Sequence, residues 1–362
     1  PDSDAGFDDI LRDESFARRI LAGAGQFAWS ATRRVSRSVQ QSAETVREEK
    51  VLVAGGDTVR WGTPDDRLQS AESLDLHKGE WEAVLDMPVK RVGHAGAALS
   101  GYLYICGGFT PLGRSVVRFH PARRHWNVLP SMSTPRAGAA AVAAKKRLYI
   151  LGGQDDVQVW ASTEFFDPEG GARGNGSWAQ LHDMRERRKD LAAGYLCGEL
   201  LIAGGCDQTF GREGSADLGV TYSTEAFDLT TNTCRSLPRM RTPRRAHAAA
   251  VVGAKFYVLG GWDPRTGCPV SSVELYDPSV EAWCECASMR MKRPRMNHAA
   301  VASSTGLLVL GGYHQHGAGE AAVPFVERLD VATSSWETLA HMGTARACFL
   351  ASIIALGPTR AP

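Results

Sequence analysis

The sequence predicts an all-β protein made of six repeated four-stranded units, and three observations predict it. A Gly-Gly pair closes a short apolar run six times, at Gly55-Gly56, Gly107-Gly108, Gly152-Gly153, Gly204-Gly205, Gly260-Gly261 and Gly311-Gly312, with successive spacings of 52, 45, 52, 56 and 51 residues. Downstream of each pair comes an E-x-aromatic-D element in variant form, at Glu72, Glu164, Glu225, Glu274 and Glu327, with Val117-Arg118-Phe119-His120 in the second unit. Third, tryptophan, methionine and arginine columns follow in phase. A period of 45 to 56 residues marks a repeat architecture, so the 362 residues read as one large repeat fold with flanking segments.

Each element has a physical reason. The strands are the apolar run after the arginine, the run into Gly-Gly, the E-x-aromatic-D run and the tryptophan run, whose mixed apolar character suits sheets covered on both faces. The paired glycines permit positive φ where the second strand ends. The tryptophan column is Trp81, Trp126, Trp283 and Trp336, with Cys234 in its place once and Trp178 displaced by a glycine-rich insertion at 169–177. Counting six residues on from this column gives Met87, Met132, Met184, Met240, Met289 and Met342; with the tryptophans these fill the space between units. The arginines are Arg91, Arg136, Arg188, Arg244, Arg295 and Arg346.

These columns resemble the Kelch repeat, in which each unit of about 50 residues is a four-stranded propeller blade. The resemblance covers residues 51–356 and implies an all-β, six-bladed Kelch β-propeller. Residues 348–356 form a good first strand lacking its continuation, and Val51 to Gly56 a second strand lacking its predecessor. The C-terminal strand is therefore expected innermost in blade one, closing the ring and removing exposed sheet edges. Residues 1–50 lack the repeat, and their helical spacing of apolar residues predicts a short helical N-terminal extension. Residues 357–362 are a polar tail.

Composition limits function. Basic residues number 41 and acidic residues 40, so the molecule lacks the field of a general nucleic-acid binder, and no nucleic-acid partner is expected. No apolar run is long enough to span a bilayer, so no membrane insertion is expected. The eight scattered cysteines contain no CxxC pair and read as reduced thiols, which predicts a cytoplasmic location with the nucleus as the alternative. Neither Cys284-x-Cys286 nor His314-x-His316 supplies enough ligands for a metal, and no cofactor is expected.

In an up-and-down blade, the loop after strand two and the connection from strand four to the next blade emerge on one face. The candidate partner-binding residues lie there: Asp57, Phe109, Gln154, Cys206, Trp262 and Tyr313 after the glycine pairs, and Trp61 in the blade-one loop. Phe109, Trp262 and Tyr313 are expected to be exposed aromatic anchors. Around the arginine column, units three to five carry 11 Lys/Arg against 4 in the other three. Arg185, Arg187, Lys189, Arg241, Arg245, Arg290, Lys292 and Arg293 should form a positive patch suited to an acidic or phosphorylated segment of a protein partner.

The resemblance implies a protein-interaction module, most similar to the propellers of BTB-Kelch adaptors. Because the chain starts at Pro1, further sequence is expected upstream; in those adaptors it is a BTB and BACK module that engages a cullin-3 ubiquitin ligase. A structural scaffold subunit is the alternative. Kelch-type epimerases, lyases and oxidases exist, but no nucleophile or phosphate motif stands out, and the repeated acids are explained by their blade column.

Overall fold

The computed structural model describes residues 48–60, 62–109, 113–171, 174–208, 219–315 and 319–356. Six four-stranded antiparallel sheets follow one another along the chain. Blade two runs Ala95–Leu99, Tyr102–Cys106, Val116–His120 and His125–Leu129, and blades three to six repeat this order. The innermost strands neighbour one another round the full circle, with Leu350–Leu356 meeting both Ala299–Ser303 and Ala95–Leu99. Residues 48–356 therefore form a closed six-bladed β-propeller.

Closure follows the expected route. Leu350–Leu356 pairs antiparallel with Glu48–Ala54 over seven residues, from Glu48 opposite Leu356 to Ala54 opposite Leu350, as the innermost strand of blade one. Residues 48–50, expected in the N-terminal extension, are instead the start of this second strand. The expected helices of residues 1–47 and the tail 357–362 lie outside the described residues.

Inner strands are rich in Ala and Gly because they converge on the axis. A Cβ on Gly96 would lie 2.1 Å from the Tyr104 carbonyl oxygen and 2.6 Å from Leu350. Second strands such as Leu148–Leu151 are buried on both faces, while outer strands expose most of their residues. Apolar side chains fill each seam between blades; between blades one and two, Leu52, Met87, Leu103, Ile105, Phe119 and Trp126 share one cluster.

The tryptophans also bond across the seams. Each indole N–H reaches a carbonyl of the preceding blade: Trp126 to Leu85 at 2.9 Å, Trp178 to Pro130 at 2.8 Å, Trp283 to Pro238 at 2.9 Å and Trp81 to Ala340 at 2.9 Å. A buried ring with its N–H satisfied combines apolar burial with a hydrogen bond. The methionine column needs one correction. Met291, 3% exposed, occupies it in blade five, because the short 3₁₀ turn Ala287–Met289 adds two residues after Trp283. The arginine then follows four residues after the methionine in all six units.

The E-x-aromatic-D element divides its labour. Its glutamate is buried against the arginine: Arg136 Nε donates to Glu164 at 2.9 Å, Arg188 Nη2 to Glu225 at 2.7 Å, Arg244 Nη2 to Glu274 at 2.6 Å and Arg346 Nη2 to Glu72 at 2.6 Å. Each arginine is at most 2% exposed and ties the second strand to the third; Arg136 Nη1 donates to Gly152 O at 2.7 Å and Ser162 O at 2.9 Å. The same glutamates accept N–H groups from the connection between blades, as Glu274 does from Arg241 and Thr242. The terminal aspartate caps the turn into strand four, with Asp75 Oδ1 accepting from the His77 and Lys78 N–H groups at 3.0 Å.

The glycine pair is needed where the second strand meets the arginine. Gly152 and Gly153 have φ of 63° and 88°, and a Cβ on Gly152 would sit 2.3 Å from the Arg188 carbonyl oxygen. Two residues beyond each arginine, a positive-φ residue faces the axis: Gly93, Gly138, Asp190, Ala246, Asn297 and Cys348. Their backbones form an unbroken circle, each N–H donating to the preceding member's carbonyl at 2.7–2.9 Å and Gly93 closing it on Cys348. This annulus sets the diameter of the central opening.

Candidate functional site

The two loop sets expected on one face meet there as bridged pairs. Asp57 pairs with Ala347, Gln154 with Ala137, Cys206 with Lys189, Trp262 with Arg245 and Tyr313 with Met296. In blade two the Phe109 N–H donates to Val92 O at 2.8 Å. Each pair joins the residue after a glycine pair to the residue after a buried arginine, so the repeat itself builds this rim.

Inside the rim is a cavity of about 700 Å³, whose charged lining among the described residues is Asp57, Arg60, Arg67, Lys189, Asp190 and Arg245. Four cations thus face two carboxylates. The Arg245 guanidinium lies 3.6 Å from Asp190 and stacks over the Trp262 ring at 4.8 Å. Arg60 reaches in from the blade-one loop, its Nη1 donating to Met296 Sδ at 3.4 Å and its guanidinium 6.0 Å from the Tyr313 ring centre. Arg67 Nη1 donates to Phe109 O at 2.9 Å, linking blades one and two.

Burial sets the protonation of this lining. Burial raises the Asp57 carboxyl to about 6, against the opposing pull of the Tyr313 hydroxyl and the Arg60 and Arg67 charges. Burial lowers Arg60, and the nearby Arg245 charge lowers it further. Lys189 is lowered by burial and partly restored by Asp190. His94 and His298, deeper in the wall, are held down to about 3 by burial and by the arginine charges, so both are neutral; His94 Nε2 donates to Ala54 O at 3.0 Å. Burial pushes the Cys206 thiol up to about 12 and Cys348 well above its usual range.

Several candidate residues differ in exposure from the sequence expectation. Tyr313 is 0% and Trp262 6% exposed; both belong to an apolar cluster with Cys206, Val220, Met296, Ala322 and Ala347. They are cavity wall, because bridging turns their loops inward over the mouth. Phe109 and Asp57 are half-buried and also line the cavity, while Gln154 is buried. Trp61 lies outside the described residues.

The positive patch divides in the same way. Lys189 and Arg245 are buried and belong to the cavity, whereas Arg185, Arg187, Arg241, Arg290, Lys292 and Arg293 are exposed on the connections entering blades four to six. Arg290 is paired with Glu285 at 2.8 Å, and Arg293 stacks over Phe325 at 4.2 Å. Arg60, Arg67 and Asp190 were not singled out from sequence. Asp190 stands in the annulus column beside Gly, Ala, Asn and Cys, a signal that alignment of the six units displays; Arg60 and Arg67 belong to no column.

His314 Nδ1 donates to Pro294 O at 3.0 Å, while His316 lies outside the described residues. Among the described residues, no group of three or more His, Cys, Asp or Glu side chains is placed to hold a metal ion. All eight cysteines are unpaired. Among the described residues, no helix is long and apolar enough to cross a membrane.

Comparison with known proteins finds the same repeat. The Kelch motif matches residues 90–133, 187–241 and 243–290. Kelch-like protein 25 of Xenopus tropicalis is 26% identical over 252 residues, covering 66% of this chain and 39% of that protein. Alpha-scruin of Limulus polyphemus is 28% identical over 245 residues, covering 65% and 25%. Kelch-like protein 36 of Mus musculus is 23% identical over 340 residues, covering 90% and 52%. The chain thus spans between a quarter and about half the length of these curated relatives. Among solved structures, that of YjhT aligns with a TM-score of 0.62 at 16% identity over 73% of this chain and 88% of that one, a likeness of fold. With the motif matching in three units and its glycine, arginine and tryptophan columns running through the rest, the chain carries Kelch repeats built into a β-propeller.

Proposed function

We propose that this propeller is a protein-interaction module that grips an acidic or phosphorylated segment of its partner on the loop face. One observation carries the reading: exposed cations on the connections into blades four to six stand beside a cavity whose own described lining has four cations and two carboxylates. In a chain of net charge +1 these cations form a local cluster at one mouth, and arginine clusters pair well with carboxylate and phosphate oxygens. Binding is favoured over catalysis because Glu72, Glu164, Glu225, Glu274 and Glu327 are all engaged by buried arginines and the cavity thiols are pushed up. The resemblance to BTB-Kelch adaptors supports substrate recognition for a cullin-3 ubiquitin ligase as the setting.

Affinity capture with the wild type and with Arg187, Arg241 and Arg293 all changed to Glu tests this. The wild type should recover an acidic or phosphorylated partner that the variant does not, with a cullin accompanying the full-length protein. Equal recovery by both would overturn the reading of the face, and recovery of one stoichiometric stable complex without a cullin would favour a scaffold subunit.

A further inference from the structure

Asp57 stands in the cavity wall at the seam where the ring closes. Its backbone closes the ring, exchanging both hydrogen bonds with Ala347 at 3.0 Å, so its position is fixed by the seam. Its side chain faces the cavity among Arg60 and Arg67 of its own loop, Tyr313 of blade six and Cys348 of the annulus. Arg60, whose charge favours the ionised Asp57 and which Glu320 of blade six also faces, feels Arg245 from blade five, so two guanidinium groups from separate blades line one cavity. Two cations brought close in a partly dehydrated cavity favour a shared anion; Asp57 competes with that anion for Arg60, and Asp190, 3.6 Å from Arg245, competes for the other.

We propose that the cavity is a proton-coupled anion site, in which a carboxylate, phosphate or sulfate group settles between Arg60 and Arg245 while Asp57 takes up a proton. The inference rests on the loop-face reading but concerns the cavity and not the rim. The coupling has a definite sign. Asp57 is already balanced near pH 6 by burial, and a second negative charge beside it disfavours its ionised form further. Binding therefore takes up a proton, and by linkage the affinity rises as pH falls through that range. Cys348 is pushed well above its usual range, burial raises the Tyr313 hydroxyl, His94 and His298 titrate near 3 and burial holds His247 well below its usual range, so none of these follows pH between 5.5 and 7.5.

Inorganic sulfate is the probe, since it does not titrate in this window. Calorimetry at pH 5.5 and 7.5, against chloride at matched ionic strength, should show sulfate binding about fivefold or more tighter at pH 5.5. Repeating the titration in two buffers of different ionisation enthalpy should show proton uptake, which needs no variant. Asp57→Asn, isosteric and uncharged, should bind at pH 7.5 as tightly as the wild type does at pH 5.5 and lose the pH dependence. Arg60→Gln, checked by melting for intact fold, should bind weakly at both. Displacement of a captured partner by sulfate would assign the anionic group to that partner, and an undisturbed partner would assign it to a separate small molecule. No binding beyond chloride, equal wild-type affinity at both pH values, or an unchanged pH profile in Asp57→Asn would overturn the proposal, leaving the rim reading to be judged by partner capture alone.

Discussion

At the scale of single residues, the buried arginine is the costliest feature of each unit and its glutamate the main compensation. Taking a guanidinium out of water costs several kcal/mol unless it is paired and its donors are satisfied. Blade two shows what else must change when the carboxylate is lost. Val117 replaces the glutamate, and Pro88, which has no N–H, stands where Ser133, Arg185, Arg241 and Gly343 present theirs to a glutamate; Arg91 retains Gly107 O at 2.8 Å and Ser115 Oγ at 2.7 Å. The acceptor and the backbone donor are thus missing together, and the Arg91 Nε is left without a partner among the described residues. Placing valine at Glu164 removes the acceptor alone, stranding Arg136 Nε and the Ser133 N–H. Urea denaturation of Glu164→Val should show a loss of about 3–5 kcal/mol. A loss under about 1 kcal/mol would mean that the pairing contributes little. The recurrence of Glu and Arg was legible in sequence; their contact was not, because they lie 28 residues apart in one blade.

At the scale of the blade, seams are held by a tryptophan that both fills and bonds, and blade four departs from the pattern. Cys234 stands in the column there and bonds within its own blade, Sγ to Glu225 at 2.9 Å. Trp283→Ala should therefore cost about 3–5 kcal/mol, chiefly through the cavity it leaves, with the lost indole bond to the Pro238 carbonyl, which the Thr224 hydroxyl still satisfies, adding less. Cys234→Ala should cost about 1 kcal/mol, the loss of one small side chain. Similar values from chemical denaturation would contradict the assigned role of the indole. The strands, the glycine pairs and the tryptophan column were readable because each repeats in phase. Counting fails where a blade inserts residues: Met289 fits the spacing from Trp283, yet the 3₁₀ turn puts Met291 in the seam. Burial of Trp262 and Tyr313 was hidden for another reason. Their loops close over a cavity that exists only once all six blades surround it.

At the scale of the whole molecule, one segment, Cys348 to Leu356, completes both the hydrogen-bonded annulus and the sheet of blade one. This closure was legible in the sequence because the first and last units are each incomplete. Deleting Leu350–Leu356 exposes the edge of Glu48–Ala54 and removes Leu350 and Ile354 from the first seam, so the melting temperature should fall sharply. A truncated protein melting within about two degrees of the intact one would contradict the closure. The ring also explains the function proposed for the loop face, since only a closed ring sets connections from blades three to six side by side as a cationic rim. Which of the sequence's cations reach that rim was half legible: six of the eight expected residues are exposed, and Lys189 and Arg245 turn into the cavity because each bridges the residue after a glycine pair.

The most direct test of the account is the association rate of the captured partner at low and high salt, for the wild type and for Arg187, Arg241 and Arg293 changed to Glu. Exposed charges act over about 8–10 Å at physiological ionic strength and mainly set the on-rate. The wild type should associate fast at low salt and slow as salt is added; the variant should be slower at low salt and nearly insensitive to it. Matching rates and matching salt slopes in the two proteins would contradict the claim that the cationic rim recruits the partner.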